Sequence, residues 1–284
     1  MLFGPAMLPF GSLVVFLYVG MQLFGVCLRQ TDRSVLKKAE NMKKMMIHSM
    51  VCGLLVLTAS CVNVGLGKKV KPSDTIVEKE YRMEPFTKLD IDVFAQVKIV
   101  QGAANDYRVV LKAPDNYLEL FDFRVDDGEL ELGFKRNTDI ESRQVKILVV
   151  APVLNELENS CIANVTTDSL TAEWLKIENS GVGKICLKGL SLGRVSVECS
   201  GVGNVELSGT AERAHLECSG VGSIDAKGLK ARRVMGEVSG VGGIDCYASD
   251  SLKALVSGVG SLQYAGQPQT KNLRSTGVGK ISEL

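Results

Sequence analysis

The chain has 284 residues, enough to bury a sizeable core in one elongated domain or two. It carries 33 Lys/Arg against 32 Asp/Glu; six basic and two acidic residues lie in the first 60, so 27 basic face 30 acidic in the remainder, which excludes a nucleic-acid footprint. Aromatic residues make up 6% with a single tryptophan, Trp174, and give no ring platform for stacking single-stranded bases or sugars.

Leu8 to Leu28 is apolar and long enough to span a bilayer. Behind it Met42-Lys43-Lys44-Met45-Met46 is a basic start, residues 47–57 are mostly apolar but too short to span, and Leu57-Thr58-Ala59-Ser60-Cys61 places small residues before a cut. That is an export signal. The cysteine directly after the small residues resembles a bacterial lipoprotein lipobox, with Thr58 where leucine is most usual. By that resemblance 42–60 is a lipoprotein signal peptide and Cys61 becomes the acylated first residue of the mature protein. An ordinary signal peptide with a chance cysteine is the other reading. A lipoprotein signal has no reason to sit behind a full span, so residues 1–41 are expected to be a mis-assigned upstream extension, rather than an anchor.

Residues 61–74 hold Gly65, Gly67, Lys68, Lys69, Lys71 and Pro72 and read as a tether. Residues 75–158 show short alternating strands: 89–93, 97–100, 107–113, 129–134 after the turn Asp126-Asp127-Gly128, and 145–150. They predict an irregular β region that caps the N-terminal end of a solenoid, because an open solenoid end exposes apolar side chains and unpaired edges. No convincing helix is found beyond residue 61.

Residues 159–284 repeat. Ser180-Gly181-Val182-Gly183, Ser200-Gly201-Val202-Gly203, Ser219-Gly220-Val221-Gly222, Ser239-Gly240-Val241-Gly242, Ser257-Gly258-Val259-Gly260 and Thr276-Gly277-Val278-Gly279 come after a worn copy, Ser160-Cys161-Ile162-Ala163. The step is about 19–20 residues, the period of a solenoid whose rungs cannot bury their apolar faces alone. Taking the serine as position 0, apolar residues recur at −3 and −1 and again at +2 and +5, on both sides of the Gly-Val-Gly. Each rung therefore reads strand, glycine corner, strand, second turn, the glycines permitting φ > 0 or close approach of the next rung. The fold predicted is all-β: a parallel β-helix with the +2 valines and the +5 Ile/Val residues stacked inside. A leucine-rich repeat is the nearest rival, but its pattern at Leu175-Lys176-Ile177-Glu178-Asn179 is lost in later copies. The calcium β-roll repeat is half this period. The last rung is open, and it is expected to be covered by a second copy, giving a homo-oligomer, or by a partner.

Cys199 and Cys218 share position −1 on adjacent rungs, where parallel side chains point the same way and a disulfide needs strain. Buried small hydrophobes is the plainer reading. The only histidines are His48 and His215, with no Cys-x-x-Cys, so no metal or cofactor is expected. At position −2 stand Glu158, Glu178, Glu198, Glu217 and Glu237, an outward carboxylate row that offers a partner surface; a solvated stripe is the bland alternative, and calcium the third. Glu206, Asp225 and Asp245 form a shorter row at +6, while Lys188, Arg194, Arg213, Lys227, Lys230, Arg232 and Arg233 gather at the turns.

The Ser200-Gly201-Val202-Gly203-Asn204-Val205 stretch, its repeats and the Val149-Val150-Ala151-Pro152 ending of the preceding strand resemble the putative auto-transporter adhesin, head GIN-type domain family, over roughly residues 85–284. The resemblance implies a β-helix on the cell-envelope side of Bacteroides-like bacteria and brings no catalytic residues. The expectation is a non-catalytic envelope lipoprotein acting as an adhesin-like binding or structural module. Its partners would be the membrane through the lipid, and a glycan or envelope protein. The alternative is a pectinase-like enzyme acting on polysaccharide, which needs two carboxylates across a cleft, and the short, nearly equal turns supply no cleft. After Cys61 come Val62-Asn63-Val64 and a basic tether instead of acidic residues, so the periplasmic side of the outer membrane is favoured over the cell surface.

Overall fold

The computed structural model describes residues 69–135, 139–140 and 144–284. The chain divides into units 1–62 and 63–284, and all described residues belong to the second. The segments expected as upstream extension and signal peptide, Cys61, and the expected tether as far as residue 68 lie outside the described residues. Among the described residues no helix is long and apolar enough to cross a membrane.

The fold is a parallel β-helix. Its long strands run from one glycine corner to the next: β13 (Lys184–Cys199), β14 (Asn204–Cys218), β15 (Ser223–Val238) and β16 (Gly243–Val256). β10 (Glu156–Asn159), β11 (Ala163–Thr167) and β12 (Leu170–Asn179) precede them, and β17 (Ser261–Ala265), β18 (Thr270–Ser275) and β19 (Lys280–Glu283) come after. The pairs in this series are parallel, and their inward columns stack aliphatic on aliphatic over most of the length: Ile177 opposite Val197, Val197 opposite Leu216, Ile185 opposite Val205, Val205 opposite Ile224. The −3 and +5 columns form the dry interior, from Leu157 and Ile177 on one face to Val165, Ile185, Val205, Ile224, Ile244 and Leu262 on the other, all essentially inaccessible to water.

The N-terminal half enters the stack out of chain order. β1 (Lys69–Val70) pairs with β8 (Asp139–Ile140) in a small separate sheet. β2 (Ile76–Arg82), β3 (Lys88–Ile91), β4 (Ala95–Gln101), β5 (Arg108–Pro114), β6 (Phe121–Asp126), β7 (Glu129–Phe134) and β9 (Lys146–Ala151) join the main sheet. β3 lies parallel between β7 and β10, and β4 lies parallel between β9 and β11. The rung of residues 88–101 is therefore sandwiched between those of 129–151 and 156–167. Within the segment expected as a cap, two strand pairs thus extend the ladders, and the cap itself is β2, β5 and β6. β5 runs antiparallel to β9, β2 to β5, and β6 to β7 across a turn with φ 46° at Asp127 and 74° at Gly128. An antiparallel strand can cover an edge after a short hairpin, whereas another parallel rung needs a long crossover.

The corner corrects one expectation. The valines at +2 do not point inward: Val202, Val221, Val241 and Val259 are 60–63% exposed. Alternation with period two continues unbroken through the turn, so odd positions face in and even positions face out. The inward places at +1 and +3 are the glycines. They are needed there for close approach, since a Cβ at Gly220 would sit 2.2 Å from the carbonyl oxygen of Gly201, and one at Gly222 would sit 1.8 Å from that of Gly203. Backbone bonds tie the corners together: the amides of Ser219 and Gly220 both donate to Cys199 O, and that of Val221 donates to Gly201 O at 3.1 Å. The second turns do use the left-handed region, as at Gly189, φ 58°.

Three substitutions in one rung separate these roles by urea unfolding. Gly222→Ala is expected to cost about 3 kcal/mol or more, because backbone must move. Ile224→Ala is expected to cost about 2–5 kcal/mol through the cavity it leaves. Val221→Thr is expected to stay within about 0.5 kcal/mol; a cost like that of Ile224→Ala would place Val221 inside.

Candidate functional site

The carboxylate row is real and longer than its repeat. Pairing in register places Glu158, Glu178, Glu198, Glu217 and Glu237 side by side on the outer face. The out-of-order rungs add Asp90 beside Glu158 and Glu131 beside Asp90, making a ladder of seven. Asp90 and Glu131 could not be found from the period, because neither rung carries Ser-Gly-Val-Gly; the corner of the first is Asp92-Val93-Phe94.

The ladder is not uniform. Beside its N-terminal end a second column alternates Glu129, Lys88, Glu156 and Lys176. Lys176 reaches Glu178 at 2.8 Å, Lys88 reaches Glu156 at 3.7 Å, and Arg124 pairs with Glu131. Among the described residues, the other five of the seven, Asp90, Glu158, Glu198, Glu217 and Glu237, have no ion pair. Neighbouring carboxylates about 4.8 Å apart in water repel by only ~0.9 kcal/mol per pair, less in salt, so the fold tolerates the row. Asp90 is the exception. Burial, with the charge of Glu158 added, pushes its carboxyl up to about 6, and one of its oxygens is buried without a hydrogen-bond partner. Burial and Glu178 also push Glu158 upward.

The +6 row is neutralised from within. Lys227 Nζ lies 3.3 Å from Asp225 and 2.6 Å from Asp245, and Lys184 lies 2.5 Å from Glu206. Of the basic turn residues, Arg232 bridges Glu212 and Asp250, and Lys230 sits 3.8 Å over the ring of Tyr247. The enclosed space beside the acidic ladder, between Lys88, Glu129, Glu156, Glu158, Lys176 and Glu178, measures about 20 Å³. That is room for one water and not for a sugar.

Inside the helix, position −1 holds a polar column. Asn159 and Asn179 are fully buried, and Asn159 Nδ2 donates to Asn179 Oδ1 at 2.8 Å. Cys199 and Cys218 come next in register as free thiols, each donating to a corner carbonyl at 3.3 Å, that of Gly203 and of Gly222. Contact with Cys218 and burial hold the Cys199 thiol well above its ordinary range, and burial pushes Cys246 up to about 12. These thiols sit in the interior and outside any site open to solvent.

Stacked parallel rungs, glycine corners and an antiparallel cap define a β-solenoid. Within that class the chain belongs to the family described as "putative auto-transporter adhesin, head GIN domain", whose model matches residues 85–268. It is similar to a crystal structure described as a putative adhesin from Bacteroides fragilis, at 33% identity and TM-score 0.73, over 76% of this chain and 100% of that one. Two more distant likenesses concern the fold alone. One is described as a putative lipid binding protein from Parabacteroides distasonis, with 20% identity, TM-score 0.64 and coverage of 76% and 100%. The other is described as a putative adhesin from Parabacteroides merdae, with 20% identity, TM-score 0.58 and coverage of 77% and 100%. No curated protein matches the chain. The family description names an adhesin and names no enzyme activity.

The Asp90 environment sets a pH dependence. Between the ordinary value of 3.8 and about 6 the folded state holds more protons on this carboxyl than the unfolded state does. Its contribution is therefore most favourable below that window and is lost as pH rises through it. Asp90→Asn is expected to raise Tm at about pH 7.5 and to leave it unchanged at about pH 3.5. Equal shifts at both pH values would show that the charge of Asp90 has no part in it.

Proposed function

We propose that the chain is a non-catalytic, lipid-anchored module of the outer membrane, adhesin-like or structural, that presents its outer ladders to a partner. The observation that carries this reading is the acidic row: seven stacked outward side chains, five of them without an ion pair among the described residues, beside a recess of only about 20 Å³. A glycosidase needs two carboxylates held across a bound bond. Here the carboxylates stand in one line on one face, which suits a long contact with a basic envelope protein or cation-bridged glycan better than bond cleavage. Membership of an adhesin family supports the same reading.

The anchor in this proposal is the lipid on Cys61, and the basic, non-acidic stretch after it favours the periplasmic side. Protease treatment of intact cells that express the full gene, with Cys61→Ala in parallel, tests both points. Protection until the outer membrane is broken, and release of Cys61→Ala from the membrane, are expected. Digestion on intact cells would move the module to the surface, and a membrane-bound Cys61→Ala would rule out the lipid anchor.

A further inference from the structure

Where the solenoid passes into its cap, the outer face of the sheet β2-β5-β9-β4-β11 forms an open, shallow groove of about 450 Å³, within the size range of small-molecule sites. Pairing fixes what faces outward there. Val110 lies directly opposite Leu148, and the two half-buried side chains form an apolar floor. One step along, Lys112 lies directly opposite Lys146, and both are exposed. Beyond Lys146 stands the neutral Gln96, and beyond Lys112 stands Glu78. Lys98, the third lysine of the groove, is held by Asp168 at 2.7 Å. Among the described residues neither Lys112 nor Lys146 makes an ion pair.

Like charges directly opposite across an antiparallel pair are unfavourable, and sheets ordinarily avoid them. Here such a pair stands at the rim of an apolar groove. An anionic head group placed between the two ammonium groups relieves their repulsion, and a hydrocarbon chain covers Val110 and Leu148. A small inorganic anion would leave the floor unused; an uncharged chain would leave the repulsion between Lys112 and Lys146 in place, since Glu78 stands opposite Lys112 alone and the neutral Gln96 beyond Lys146. We propose that this groove binds an anionic amphiphile, its carboxylate or phosphate head between Lys112 and Lys146 and its chain along Val110 and Leu148. The site is separate from the carboxylate ladder and stands whether or not Cys61 is acylated.

The test is photo-crosslinking of the full-length protein, held in nanodiscs of neutral phosphatidylcholine, with a diazirine-bearing dodecanoate. Label is expected on β5 and β9 around Val110 and Leu148. Dodecanoate or dodecyl phosphate is expected to compete it away, the better competitor telling a fatty-acid source from a phospholipid one; dodecanol and acetate are expected not to compete. Lys112→Gln with Lys146→Gln, which changes only exposed side chains and adds no like-charge pair, is expected to cut labelling by about tenfold with the thermal melt unchanged or slightly raised. Label placed elsewhere, equal competition by dodecanol or by acetate, or full labelling of the folded double variant would each overturn the proposal. Should the double variant fail to fold, the competition on the unmodified protein decides alone.

Discussion

At every corner of the repeat, successive rungs are stacked with no room for one more carbon atom between them. A Cβ at Gly201, Gly220, Gly240, Gly258 or Gly277 would stand 2.2 Å from a carbonyl oxygen of the rung before. This contact is what allows the corner amides to donate to the preceding corner, so the turn is itself a hydrogen-bonded ladder and not a loop. A buried or half-buried corner that left those amides unpaired would cost far more than the entropy of fixing a glycine. The side chains that flank the glycines are then free of any packing duty. Serine at 0 and valine at +2 face solvent, and the chain carries an exposed apolar ridge from Ile162 through Val278 as a consequence of backbone geometry.

The period, the glycine corners and the inward columns at −3 and +5 were legible in the sequence, because each rung repeats the same packing problem. Parity was legible too, and it is what the valine placement missed. If −1 and +5 both face inward, alternation obliges +1 and +3 to face inward and +2 to face out. Glycine leaves no hydrophobic signal, so the inward place looked as if it belonged to the valine beside it. The rungs of 88–101 and 129–151 were hidden for a different reason. They carry Asp92-Val93-Phe94 and a longer excursion in place of the tetrapeptide, and the first is inserted between two rungs that come later in the chain. No period can announce a strand whose neighbours lie tens of residues away on either side.

The same insertion decides the electrostatics. In the regular rungs the carboxylates at −2 are spread along a solvated face, and each feels its neighbours weakly. At Asp90 the ladder meets Glu131, Glu129 and Glu158 under partial burial, and repulsion and desolvation act together on one shorter side chain. The repeat by itself makes only rows. A row can be a long, low-contrast contact surface, which is the part of the proposed function that the solenoid supports.

A localised site needs the repeat to be broken, and it is broken where the stack turns from parallel to antiparallel. There β5 and β2 reverse direction against β9, and cross-strand neighbours are no longer copies of one another. Lys112 faces Lys146 and Val110 faces Leu148 through this reversal alone; no pair of adjacent regular rungs sets two lysines without an ion pair beside two outward aliphatic residues. The cap thus closes an edge that would otherwise invite pairing with another chain, and it supplies a shallow groove whose chemistry differs from one residue to the next. The solenoid gives length and regularity, and the cap gives the place where a single small ligand can be told from its neighbours.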